Sequence, residues 1–266
     1  MIPSSYEHAV DSGVYLHGVD TSRVDDRRPV ARKEMGEPPV LLIIGQSNGG
    51  NHGETPFTAA ETVFNFNLFD RLFYHARDPL LGATGDGGSP WCLLGDALIR
   101  DGFARSIVLC PLSVGGSTVA EWAPGGTYNH RLRYGIARLR EAGFEPSQVL
   151  WHQGEADSLY GTSAESYVRS FGQLVASLRD LGIMAPIHVA IASYFAVPPG
   201  YSAAQAVIRE AQRMVIDPNN GILPGPDTDL ITDRFDGCHM GRQGLMDHAS
   251  AWQAVLRRAR SVTLAG

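Results

Sequence analysis

The sequence predicts an α/β protein: a three-layer α/β/α sandwich around a central, mostly parallel five-stranded sheet. Three observations predict it. Short segments apolar at every residue alternate with longer segments of helical spacing, the short segments end at glycine or polar turn residues, and the chain is long enough, at 266 residues, to bury one large core. A strand that is apolar on every residue needs cover on both faces, which a parallel sheet clothed by helices supplies. Strand and helix in alternation imply βαβ units and a parallel sheet.

Residues 1–38 are charged, contain Asp25, Asp26, Arg27 and Arg28 in a row, and close at Pro38 and Pro39. No period is sustained there, so the segment is expected to be an extended N-terminal arm lying on a single domain formed by residues 39–266. The first strand is Val40-Leu41-Leu42-Ile43-Ile44, stopping at Gly45; similar runs at 106–110, 149–151, 187–192 and 230–232 complete the five. Helical spacing marks roughly 91–101, 131–142, 164–181, 203–216 and 242–260. In the fourth of these, Ala203, Val207, Ala211, Met214 and Val215 would share a buried face; in the fifth, Leu245, His248, Ala249, Trp252, Val255 and Leu256 would. The glycine-rich stretch 82–88 lacks the Lys-Ser/Thr ending of a phosphate loop and reads as a surface loop.

Composition narrows the function classes. With 44% hydrophobic residues and a net charge of −6, the chain is neither disordered nor electrostatically suited to nucleic acid or an anionic membrane. Cys92, Cys110 and Cys238 are too few and too scattered for a disulfide framework or a CxxC zinc site, and are expected to be reduced thiols. The first residues lack the basic start and apolar run of a secretion signal, and no stretch approaches the ~18 apolar residues of a membrane span, so a cytoplasmic location is expected.

Ligands of open parallel sheets bind beyond the carboxyl ends of the strands. After the first strand comes Gly45-Gln46-Ser47-Asn48-Gly49-Gly50, a tight polar turn able to expose a serine hydroxyl among free backbone N–H groups. After the last run comes Asp236-Gly237-Cys238-His239, where a carboxylate three residues before a histidine can reach Nδ1 and fix the ring's tautomer. Taken singly, each piece has a plainer reading: a common turn serine, and an aspartate capping the following helix. A metal pair lacks a third ligand at suitable spacing. His52 and His152, flanking the motif residues, read as satisfied polar side chains, and Glu155 as a buried structural acid.

Four blocks in order, Gly45-Gln46-Ser47-Asn48, Val114-Gly115-Gly116-Ser117 with Trp122, Trp151-His152-Gln153-Gly154-Glu155-Ala156-Asp157, and Asp236-Gly237-Cys238-His239, resemble those of the SGNH hydrolase superfamily, and within it the sialate O-acetylesterase-like and acetylxylan-esterase-like carbohydrate esterases. The resemblance implies Ser47 as nucleophile, His239 as general base and Asp236 as the residue orienting it. It implies oxyanion donors at the N–H groups of Ser47 and of Gly116 or Gly115. Most of the superfamily places a third donor on an asparagine of a Gly-x-Asn-Asp block. This chain has Gly154-Glu155-Ala156-Asp157 instead, and the subgroup's pattern points to Gln153. Trp122, Trp151 and Asn48 are candidate substrate contacts; the alternatives are core packing for the tryptophans and a tie between loops for Asn48. The same first block satisfies the G-x-S-x-G elbow of α/β-hydrolases, but only one strand precedes it and the acid lies three residues from the histidine, contrary to that fold.

The expected activity is that of a serine esterase removing a small acyl group, acetyl above all, from a carbohydrate-like substrate through an acyl-enzyme, with no metal or organic cofactor required. An acyltransferase using the same triad, or a catalytically silent carbohydrate-binding domain, are the alternatives.

Overall fold

The computed structural model describes residues 23–60, 62–196 and 202–265. Its eight strands are β1 (Pro29–Val30), β2 (Val40–Gly45), β3 (Val63–Phe66), β4 (Phe73–His75), β5 (Ile107–Pro111), β6 (Gln148–His152), β7 (Ile187–Ile191) and β8 (Ile222–Asp227). They form one sheet in the order β1-β4-β3-β5-β2-β6-β7-β8. From β3 to β8 every neighbouring pair is parallel, while β4 and β1 continue the sheet antiparallel. The helices are α1 (Arg32–Met35), α2 (Trp91–Arg100), α3 (Val119–Trp122), α4 (Asn129–Glu141), α5 (Glu155–Tyr160), α6 (Ala164–Asp180), α7 (Ser202–Met214) and α8 (Arg242–Ala265).

The pleat of β2 sorts the core into two layers. Val40, Leu42 and Ile44 join a cluster with Leu132, Ile136, Tyr167, Phe171, Leu174 and Ile208, from α4, α6 and α7. Leu41 and Ile43 point the other way, into a cluster with Trp91, Leu94 and Leu98 of α2 and Ala249, Trp252 and Leu256 of α8. All six residues of β2 are buried, as a central parallel strand requires. No helix among the described residues is long and apolar enough to cross a membrane.

The class is as the pattern predicts, but the sheet has eight strands rather than five. Four of the apolar runs are β2, β5, β6 and β7. The fifth, 230–232, is not a strand: Thr228–Leu230 is a 3-10 turn, and Leu230 is exposed. The strand that occupies that place is β8, Ile-Leu-Pro-Gly-Pro-Asp, whose prolines break the apolar signal. They are tolerated because β8 lies at the edge of the sheet, where a missing N–H leaves no partner unpaired. In β3 the apolar pattern is interrupted by Asn65, fully buried, whose amide accepts from Leu81 N (2.6 Å) and donates to Leu81 O (3.1 Å). In α7 the buried face is Ile208, Ala211 and Gln212; Val207 and Met214, placed inside by spacing alone, are exposed. The predicted face of α8, by contrast, is buried at Leu245, His248, Ala249, Trp252, Val255 and Leu256.

Of the N-terminal arm, residues 1–22 lie outside the described residues. The remainder adds β1 to the sheet edge against β4 and buries Val30 and Met35 in the core.

Three histidines sit inside this core. Burial pushes the imidazoles of His152, His188 and His248 below their ordinary value, His188 to about 4. The unfolded chain takes up protons near pH 6.5 while the folded chain resists them. Each such histidine therefore contributes stability that is present at pH 7 and lost as pH falls below 6.5; for His188, at about 4, the loss is about 2 kcal/mol by pH 5. The urea midpoint is expected to drop between pH 7 and pH 5, and to drop less in His188→Gln; a midpoint independent of pH over that range, or the same decline in the variant, would contradict this.

Candidate active site

The site begins where β2 stops. Gly45 has φ +147°, and a Cβ there would lie 1.9 Å from the His152 carbonyl oxygen of β6, so only glycine fits. The chain then makes a single 3-10 turn, Ser47–Gly49, closed by Gly49 N to Gln46 O (2.9 Å) and Gly50 N to Ser47 O (2.8 Å). Ser47 heads that turn, where a backbone N–H has no acceptor within the helix. The amides on either side fasten it. Gln46 Oε1 accepts from Ala156 N (3.0 Å) and Gly154 N (3.2 Å) at the start of α5. Asn48 Nδ2 donates to Glu155 Oε1 (2.9 Å) and to the carbonyl of Cys238 (3.3 Å), the residue before His239.

Asp236 and His239 form the opposite wall. Asp236 Oδ2 lies 2.6 Å from His239 Nδ1, and Oδ1 accepts from the backbone N–H groups of His239 (2.7 Å) and Cys238 (2.9 Å), around a turn allowed by Gly237 at φ +84°. Burial alone would raise the Asp236 carboxyl, but these bonds from His239 and Cys238 outweigh it and hold the group below its ordinary value. An ionised Asp236 can only accept, which assigns the proton to Nδ1 and leaves the lone pair on Nε2. Arg234 braces the loop from below: it donates to Ile231 O (3.1 Å), Thr228 O (2.8 Å) and the Cys238 carbonyl, with its guanidinium 4.8 Å from the Tyr194 ring centre. The acid that caps α8 is Asp233, accepting from Gly244 N (2.7 Å), which leaves Asp236 to the histidine. Ser47 and His239 make no direct hydrogen bond to each other in this conformation. Their neighbours Asn48 and Cys238 do, which puts both on one rim.

The third wall is the loop after β5. The N–H of Gly115 donates to Thr84 Oγ1 (2.7 Å) and is thereby spent, whereas Gly116, at φ +73° and exposed, keeps its N–H clear of that contact. Between the two glycines, the geometry favours Gly116 as a donor to a ligand.

Several sequence-level expectations fail here. Gln153 is fully buried, and its two amide hydrogens go to Ser117 O (3.0 Å) and Asp157, so in this conformation it has none to offer an oxyanion. Trp122 and Trp151 are buried, pack edge-on with ring centres 6.4 Å apart, and bond Ser117 Oγ (2.9 Å) and Tyr167 Oη (3.2 Å). They are the floor beneath the loop after β5, and neither presents a face to solvent. Asn48 spends its amide on Glu155 and Cys238, in keeping with its reading as a tie between loops and not with a substrate contact. The 82–88 stretch is not a surface loop: residues 82–84 and 88 are buried, and Gly53 and Gly88 exchange backbone hydrogen bonds (2.9 and 2.8 Å). A Cβ on Gly88 would meet the Thr55 carbonyl at 1.9 Å, which is why the stretch is rich in glycine.

Three more residues enter the site: Thr84 and Phe235, which sequence reasoning passed over, and His52, which it read only as a satisfied polar side chain. His52 stacks on His239 with ring centres 5.5 Å apart and planes at 23°, and Thr84 holds its Nε2 at 3.0 Å. Phe235 is exposed on the rim with its ring centre 6.3 Å from that of His239. A histidine five residues after the serine, and an aromatic one residue before the aspartate, were the available signals. Neither has meaning until the two loops are brought together. Among the described residues, no group of three or more His, Cys, Asp or Glu side chains is arranged to hold a metal ion.

Comparison with known proteins gives these features a context. The family model described as carbohydrate esterase, sialic acid-specific acetylesterase matches residues 38–251. A probable carbohydrate esterase of Arabidopsis thaliana is 39% identical over 90 residues, a match spanning 33% of this chain and 35% of that relative. Three solved structures share the fold. An Arabidopsis thaliana protein superposes with a TM-score of 0.65 at 21% identity, covering 82% of this chain and 97% of that one. NanS does so at 0.62 and 16%, covering 85% and 98%. Axe2, an acetylxylan esterase from Geobacillus stearothermophilus, does so at 0.55 and 15%, covering 83% and 94%. With the family model spanning β2 to β8, the serine turn and the Asp236–His239 loop, this chain belongs to the sialic acid-specific acetylesterase family of carbohydrate esterases.

Proposed function

We propose that this protein is a serine O-acetylesterase acting on a carbohydrate-like ester through an acyl-enzyme, with Ser47 as nucleophile, His239 as general base and Asp236 as its orienting acid. The observation that carries the reading is the bond from Asn48 to the Cys238 carbonyl, which holds the serine turn and the Asp236–His239 pair on one rim. The bond from Asn48 to the Cys238 carbonyl keeps the two loops adjacent, and unliganded sites commonly show such catalytic pairs apart.

In the first half-reaction, Ser47 Oγ attacks the ester carbonyl carbon as His239 Nε2 takes its proton, and Asp236 stabilises the imidazolium that forms. The tetrahedral oxyanion is received by the N–H groups of Ser47 and Gly116. Collapse breaks the bond to the alcohol oxygen, which takes the proton back from His239. In the second half, water attacks the acyl-serine, His239 again accepts and returns a proton, and the free acid leaves. Each bond made or broken is matched by one proton moved through Nε2, so the cycle closes on the resting enzyme. The substrate class rests on family membership; Trp122 and Trp151 are buried, and Phe235 is an exposed aromatic beside His239.

Two substitutions test the assignment. Ser47→Ala is expected to cut the turnover of p-nitrophenyl acetate by about 10⁶-fold with an unchanged circular dichroism spectrum; turnover within tenfold of the parent would remove Ser47 from the mechanism. Asp236→Asn keeps the shape but presents a donor where Nδ1–H needs an acceptor, so kcat is expected to fall by about 10⁴-fold. A loss of less than tenfold would mean that the Asp236–His239 bond does not serve catalysis.

A further inference from the structure

His52 and Thr84 stand behind the proposed base and the proposed oxyanion loop at once, and no step of the mechanism above uses them. The His52 ring lies nearly parallel to His239, at 23° and 5.5 Å between centres. Its Nε2 is 3.0 Å from Thr84 Oγ1, and that same oxygen receives the Gly115 N–H at 2.7 Å. The fit extends to Gly115 itself, where a Cβ would strike His52 Cε1 and Nε2 at 2.9 Å, so the loop lies directly against the ring. The glycine-rich segment carrying Thr84 is locked in turn to the serine turn, by Asn51 N to Thr84 O (2.9 Å) and Gly87 N to Asn51 O (2.8 Å).

We infer that His52 and Thr84 form a positioning strut that fixes the His239 ring plane and the Gly115–Gly116 backbone relative to each other. His52 is a positioning residue on this reading and exchanges no proton with substrate. Burial, with His239 as a second influence, pushes its imidazole down to about 4, so at neutral pH it is an uncharged plate against which an imidazolium can form without a second cation beside it. By taking the Gly115 N–H, Thr84 also makes Gly116 the loop glycine whose N–H turns to the substrate. The base and one oxyanion donor thus share a single reference point. That matters because displacement of about 1 Å in such groups costs on the order of 10²-fold in rate.

The inference rests on the esterase reading for its kinetic consequences and has one that does not depend on it. With p-nitrophenyl acetate, His52→Ala and Thr84→Val are each expected to lower kcat 10- to 100-fold with KM changed less than threefold. The double variant should be no worse than the poorer single, because both remove one strut. Thr84→Ser, which restores the hydroxyl, should recover most of kcat. Losses that multiply in the double variant, a rise in KM in place of the fall in kcat, or no recovery in Thr84→Ser would overturn the strut while leaving the esterase intact. The second readout needs no turnover. The His239 Nδ1 proton bonded to Asp236 should give a low-field NMR resonance in the parent and in Ser47→Ala, and lose it to solvent exchange in His52→Ala. A resonance that survives unchanged in His52→Ala would refute the strut whether or not any ester is cleaved.

Discussion

Strands β2 and β6 approach so closely at their carboxyl ends that the last residue of β2 has no room for a side chain: a Cβ on Gly45 would sit 1.9 Å from the His152 carbonyl. That contact sets where the chain leaves the sheet. Gln46 N still bonds His152 O (3.0 Å), and one residue later the backbone has turned into the 3-10 segment headed by Ser47. The position of the proposed nucleophile is therefore a property of a buried central strand pair, not of a mobile loop. Central parallel strands are among the last elements to open, so the most demanding atom of the site is placed on the least yielding part of the fold.

What remains of the site is held to that turn by buried amides and one arginine. Gln46 faces α5, Asn48 faces both Glu155 and the Cys238 carbonyl, and Arg234 gathers three carbonyls beneath the Asp236–His239 loop. All of these but the Asn48–Glu155 bond are side-chain to main-chain ties, and a buried polar group left unpaired in any of them would be costly. The two walls, separated by about 190 residues of sequence, are thereby bonded as neighbours. Specificity of position is obtained here from hydrogen bonds, with apolar packing supplied from below by Trp122 and Trp151.

The parts of this arrangement that sequence reveals are those with strong periodic or compositional signals. Val40 to Ile44 declares a strand buried on both faces, and Leu245 to Leu256 declares a helix with one buried stripe. β8 escapes because Pro224 and Pro226 are permitted by its edge position, which no local pattern encodes, and β3 escapes because a buried asparagine looks like a turn residue until its partners on Leu81 are known. At the site, Ser47, Asp236 and His239 stand out by residue type and spacing. Gln153 looks available inside its motif block, and sequence leaves Trp122 and Trp151 open between substrate contact and core; only the packing shows that Ser117, Asp157 and Tyr167 have already claimed them. His52 and Thr84 are the converse case, ordinary in sequence and notable only through a contact made between loops.

Activation of the serine heading the β2 turn by the histidine across the rim is the step on which the proposed chemistry depends. The direct measurement is covalent capture: incubation with a fluorophosphonate, followed by mass mapping of the modified peptide. One adduct on Ser47, formed by the parent and not by His239→Ala, is the predicted result. An adduct on another residue, or labelling of Ser47 that proceeds equally well without His239, would contradict it.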